Sequence, residues 1–103
     1  MKVRVKSARG EARRIGTDFR FIAYCKKQRC GDVSLNRRGS IAEVWSGFVQ
    51  KRFRGRGVGE MMYLAAARQL CRKGLIMEGQ PGTAFQHRAL EEACSERIGH
   101  ADR

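Results

Sequence analysis

Acidic side chains are scarce in this chain. Ten Asp and Glu stand against 22 Lys and Arg in 103 residues, a formal net charge of +12 with pI ≈ 10.6. Such a surface attracts polyanions and repels polycations, which disfavours polyamines, aminoglycosides and basic tails as partners. Paired cysteine motifs are missing too. Cys25, Cys30, Cys71 and Cys94 include no Cys-x-x-Cys, so no metal site is expected. Cys25 and Cys30 can face each other across a hairpin, but thiols in a reducing compartment are the expectation. No apolar run approaches membrane-spanning length and the N-terminus lacks the apolar core of a signal peptide. A soluble, cytoplasmic protein without membrane contact is therefore expected. Internal repeats and low-complexity linkers are absent, and residues 1–103 suit one domain with a single core.

What the chain does have is Arg54-Gly55-Arg56-Gly57-Val58-Gly59. Glycines on alternate positions let the main chain turn tightly and aim several N–H groups at one spot, and a helix starting there adds its positive end. The turn is neither a P-loop, which needs Gly-Lys-Ser/Thr, nor the dinucleotide fingerprint Gly-x-Gly-x-x-Gly. Upstream, Ile41 to Val49 (IAEVWSGFV) reads as a strand apolar on both faces, suited to burial on both sides. Downstream, Val58, Met62, Ala66 and Leu70 mark an amphipathic helix, with Glu60 in its first turn, Arg72 and Lys73 in its last, and Gly74 as C-cap. Leu75-Ile76-Met77 then starts another buried strand. Phe19 to Cys25 and Cys30 to Leu35 read as a hairpin turning at Lys26-Lys27-Gln28, and Lys2 to Lys6 as a first strand. Residues 7–18 leave room for a turn or one short helix, and Thr83-x-x-Gln86 after Pro81-Gly82 opens a last helix to about Ile98.

The order strand, glycine turn, helix, strand resembles the acetyl-CoA motif of the GNAT superfamily of N-acetyltransferases. The pattern Arg/Gln-x-x-Gly-x-Gly/Ala is met by Arg54, Gly57 and Gly59, with Val49 five positions before Arg54 and Phe53 directly before it. The resemblance covers residues 19–77 well and the ends loosely. It implies an α/β (α+β) fold: a compact, mixed, mostly antiparallel sheet of about five strands with a crossover helix and a C-terminal helix. It also implies acetyl-CoA as cosubstrate. Backbone N–H groups of Gly55, Arg56, Gly57, Val58 and Gly59 would hold its pyrophosphate, Arg54 and Arg56 would add charge, and the main chain at Phe48 and Val49 would bind the pantetheine arm. Most of the family's first two helices and its final strands are missing from the pattern. An open acceptor side is therefore expected, together with a sheet edge that a second copy can cover in a homodimer.

Glu43, a carboxylate in an otherwise apolar strand, is the candidate base. Burial there is expected to raise its pKa, and its place eleven positions before Arg54 matches the base of protein-lysine acetylating members. The alternative is a carboxylate paired with an arginine. The family's Tyr acid is absent; a loose alignment on Gly99-His100 puts Ser95 in its place, with Cys94 adjacent, and water is a further donor. His87 and His100 read as surface residues. The expected activity is transfer of acetyl to an amine of a macromolecule, a protein lysine or N-terminus, on an acidic or nucleic-acid-associated partner. The rivals are a basic nucleic-acid-binding module, with Phe19, Phe21, Tyr24 and Phe53 stacking bases, and a CoA-binding relative without turnover.

Overall fold

The Lys26-Lys27 reversal organises the first half of the chain in the computed structural model, which describes residues 2–79. Strand β2 (Phe19–Cys25) returns through those two residues as β3 (Gln28–Arg38), and Lys26 takes the left-handed φ of 58° that so short a connection demands. In the resulting register Phe19 faces Leu35 and Phe21 faces Val33, so both alternating sets fall on one side of the sheet. Strand β1 (Val3–Ser7) lies antiparallel to β2, and β4 (Ile41–Val49) antiparallel to β3. Strand β5 (Ile76–Glu78) joins β4 in parallel, giving the order β1-β2-β3-β4-β5. The sheet is mixed, mostly antiparallel and five-stranded, as the sequence implies.

Two helices complete the described chain: α1 (Arg9–Ile15), within the segment expected to hold one short helix, and α2 (Val58–Arg72). The expected row Val58, Met62, Ala66 and Leu70 is buried, together with Tyr63, Ala67 and Cys71. It packs on Phe21, Val33, Leu35 and Met77 to form the core. Gly74, left-handed at φ 80°, ends α2: the Leu75 N–H reaches the Leu70 carbonyl at 2.9 Å and the Gly74 N–H reaches that of Cys71 at 3.0 Å. No helix among the described residues is long and apolar enough to cross a membrane. The expected helix after Thr83 lies outside the described residues.

Strand β4 departs from expectation. Only Ala42 and Val44 are buried; Trp45 is 57% exposed and Phe48 50%. The reason is the brevity of α1. Its seven residues contact β2 and bury only Ala12, so the outer face of β4 has no cover among the described residues. What holds α1 down is polar. Glu11 sits 3.2 Å from both Arg20 and Arg29, which also lie 3.5 and 3.6 Å from Asp32, while Arg20 donates to Ser34 Oγ at 2.7 Å.

The hydrogen bonds from Arg29 hold the Glu11 carboxyl below its ordinary value; burial opposes them as the next largest effect, and the charge of Arg29 and the bond and charge of Arg20 tip the balance downward. A carboxyl lowered on folding contributes stability above its unfolded pKa and loses it as pH falls through the folded value. Glu11→Gln is therefore expected to lower the urea midpoint at pH 6, with the gap to the parent closing as pH drops below the usual carboxylate range. A gap independent of pH would contradict this account of α1.

Candidate functional site

Between β4 and α2 the chain must leave the sheet, turn, and deliver a helix N-terminus to the end of the strand it has just left. The Gln50 N–H still pairs with the Cys30 carbonyl at 2.9 Å, and a single 3-10 turn (Lys51–Phe53) then drives Phe53, 8% exposed, into the core. Gly55 and Gly57 follow with φ of 78° and 79°, left-handed conformations that residues with a Cβ rarely take, and α2 begins at Val58. A Cβ at either glycine would meet no protein atom within 4 Å, so the space beside the turn is open.

Arg54 closes the base of the turn. Its Nε donates to the Val49 carbonyl at 2.8 Å and its guanidinium lies 5.3 Å from the Phe48 ring centre. Val49, Phe53, Arg54, Gly55, Gly57, Val58 and Gly59 line one cavity of about 340 Å³, to which Glu60 adds a carboxylate. The sequence-predicted loop residues are thus brought together with one exception. Arg56 is not in that lining; it faces a second, larger cavity of about 700 Å³ with Lys2, Arg4, Lys26 and Lys27. The carbonyl-bound Arg54 braces the turn, and Arg56 adds its charge elsewhere.

Glu43 requires a correction. It is not buried: its side chain is 46% exposed and Oε1 lies 2.7 Å from Nε of Arg38, itself 69% exposed. Solvent and Arg38 both reach this side chain because nothing described covers that face of β4. Its position is still distinctive. Glu43 pairs with Asn36 on β3 and with Glu78 on β5, and it is the last β4 residue in register with β5. From Val44 to Val49 the β5-side edge of β4 has no described strand on it. A ligand anchored at the glycine turn would extend along about 20 Å of β4 to reach Glu43. Ser95 and Cys94, with His87 and His100, lie outside the described residues.

Three features escaped the sequence reading. Trp45 is the extra residue of a bulge, since Ser34 pairs with Ser46 while Leu35 pairs with Val44, and the bulge turns its indole outward. Gly47 faces the buried Tyr63 of α2 so closely that any Cβ would collide with the phenol hydroxyl. Gly31, opposite Val49, would bring a Cβ to 2.7 Å from the Phe48 carbonyl. Glycine inside an apolar strand was the available signal for the last two. Cys25 and Cys30 do meet, as buried thiols with sulfurs 2.8 Å apart, and Cys30 is pushed up to about 12 by burial, then by the bond to Cys25.

No family model matches the chain, and no curated protein matches its sequence. Solved structures do match. An IAA acetyltransferase from Bacillus cereus ATCC 14579 superposes with a TM-score of 0.65 at 16% identity, over 90% of this chain and 75% of its own. A Bacillus subtilis acetyltransferase in complex with CoA gives 0.66 at 14% identity, over 91% and 76%. The aminoglycoside acetyltransferase AAC(6′)-Iy, with a CoA-based bisubstrate analogue, gives 0.59 at 15% identity, over 90% of each chain. At these identities the likeness concerns architecture alone: the chain shares its fold with these acetyltransferases.

The Gly47–Tyr63 contact sets how near α2 approaches β4. Gly47→Ala is expected to cost about 1–3 kcal/mol by overpacking, read as a lowered urea midpoint, and adding Tyr63→Phe should recover part of the loss. Unchanged stability in Gly47→Ala would show that the approach is not tight.

Proposed function

We propose that this chain is an acetyl-CoA-dependent N-acetyltransferase acting on an amine of a macromolecule. The observation that carries the proposal is the glycine turn: two left-handed glycines lead into the N-terminus of α2 and a small open cavity at the end of a strand whose β5-side edge has no described partner from Val44 to Val49. Anions are stabilised at such a helix start by unpaired N–H groups and the helix dipole. The CoA bound by neighbouring structures supports the same assignment. Backbone N–H groups of residues 55–59 would hold the pyrophosphate, and the main chain at Phe48 and Val49 the pantetheine arm.

The amine nitrogen attacks the thioester carbonyl carbon; a C–N bond forms and the C–S bond breaks. Main-chain N–H groups of β4 polarise the carbonyl. Glu43, exposed at the end of the β4–β5 pairing, takes the amine proton through water, with Arg38 2.7 Å away fixing the position of the carboxylate. Ser95, Cys94 and water are the candidate donors to the departing thiolate. A macromolecular acceptor suits the uncovered face of β4, where Trp45 and Phe48 stand exposed. Some structural neighbours are named as aminoglycoside acetyltransferases, but a chain of net charge +12 repels polycationic antibiotics.

Gly57→Val forces a side chain into the left-handed turn and is expected to weaken acetyl-CoA binding at least tenfold in calorimetry. Retained affinity would remove the turn from the site. Glu43→Gln is expected to lower turnover about 10²-fold, most visibly below the acceptor amine's pKa, with acetyl-CoA affinity little changed. Equal turnover would remove Glu43 from the mechanism.

A further inference from the structure

The sheet edge at β1 carries a second charged site that acetyl transfer does not use. Lys2, just before β1, and Arg4 and Lys6 within it stand at alternate positions, exposed, while Val3 and Val5 turn to the core. Alternate residues of a strand stand about 6.8 Å apart on one face, so these cations form an evenly spaced row. The β1–β2 register sets Arg4 opposite Tyr24 and Val3 opposite Cys25, which brings the Lys26-Lys27 turn to the end of that row. Two adjoining cavities result. One, of about 700 Å³, is lined by Lys2, Arg4, Lys26, Lys27, Arg56 and Phe53 among others; the second, of about 330 Å³, shares Arg4, Lys26 and Lys27 and adds Lys6 and Tyr24. Among the described residues no carboxylate lines either. The nearby acids, Glu11 and Asp32, are engaged by Arg20 and Arg29.

Lysines on an edge strand commonly serve only to prevent sheet-to-sheet pairing. Here the charge continues beyond the edge, into a turn and onto the start of the glycine loop, and it curves around concave space rather than projecting from a flat edge. Tyr24 lies within the row, with the Lys6 ammonium 5.9 Å from its ring centre. Regularly spaced cations beside an aromatic ring match a chain of phosphodiesters with stackable bases better than they match an acidic peptide, whose charges have no fixed spacing and which offers no ring to stack.

We infer that the β1 row and the Lys26-Lys27 turn bind single-stranded nucleic acid. Contacts are to phosphates and are insensitive to base sequence, and the site adjoins the glycine-turn cavity, with Phe53 lining both. The inference holds whether or not the chain transfers acetyl groups.

The test is fluorescence anisotropy of a labelled oligouridylate of about 16 nucleotides with the full chain purified free of nucleic acid. The comparison is with Arg4→Gln/Lys6→Gln/Lys27→Gln and with the single variant Lys27→Glu. The triple variant is expected to bind at least tenfold more weakly, with its log K against log salt slope reduced by about 2, three phosphate contacts at about 0.7 each. Lys27→Glu is expected to weaken binding several-fold, so the inference stays testable if the triple variant fails to fold. Acetyl-CoA affinity should be unchanged in both. Parental RNA affinity in the variants would overturn the inference. So would displacement of the RNA by saturating acetyl-CoA, which would make these cations part of the cosubstrate site, or equal competition by polyglutamate, which would make the surface a docking site for acidic protein.

Discussion

The passage from β4 into α2 is the constraint on which the rest of the described structure depends. Eight residues, 50–57, must release the strand, reverse direction and bring a 15-residue helix back across the sheet with its buried row facing inward. Phe53 anchors the passage in the core, Arg54 ties it to the Val49 carbonyl, and Gly55 and Gly57 supply the left-handed backbone. A residue with a Cβ at either glycine would carry a cost of about 1–2 kcal/mol for that conformation. The same geometry that lets the helix dock also sets its first residues beside an open cavity. Fold and candidate function therefore rest on one local arrangement.

Close approach on one side of the sheet has a consequence on the other. Gly31 and Gly47 let α2 come down onto β3 and β4, filling the inner face with Phe21, Val33, Leu35, Met62 and Leu70. Among the described residues the outer face has only α1, which packs on β2 and is held by Glu11 to Arg20 of β2 and Arg29 of β3. The main hydrophobic core therefore lies on one face of the sheet, with only Ala12 and Ile22 as buried hydrophobic residues outside it among the described residues, and the outer face of β4 presents Glu43, Trp45 and Phe48 to solvent. An extended thioester arm along β4 and a bulky acceptor on its outer face are compatible with that asymmetry. A small acceptor needing enclosure on all sides finds none among the described residues.

Local periodicity made much of this legible before any coordinates. The hairpin follows from alternating Phe19, Phe21 and Ala23, the crossover helix from the four-residue repeat beginning at Val58, and its end from Gly74, each readable within a dozen residues. What failed depended on distant parts of the chain. Glu43 looked buried because its neighbours are apolar, but burial is decided by what lies over a strand, and seven residues of α1 cannot lie over β4. Arg56 looked like a phosphate ligand because it sits between two glycines, yet the turn directs it toward Lys2 and Lys26. Trp45 and Gly47 take their roles from a bulge that only pairing with β3 creates. The basic row was visible as alternate cations in β1, but its continuation through Lys26-Lys27 requires the register with β2.

The most direct test of the central claim is to follow the backbone amide resonances of the protein by NMR while acetyl-CoA is added. The account predicts that the amides of Gly55, Arg56, Gly57, Val58 and Gly59 shift together and saturate at one equivalent per chain, followed along β4 by Phe48 and Val49, while those of Lys2 to Lys6 and Lys26 stay in place. Unmoved amides in the glycine turn, or shifts confined to the β1 row, would contradict it.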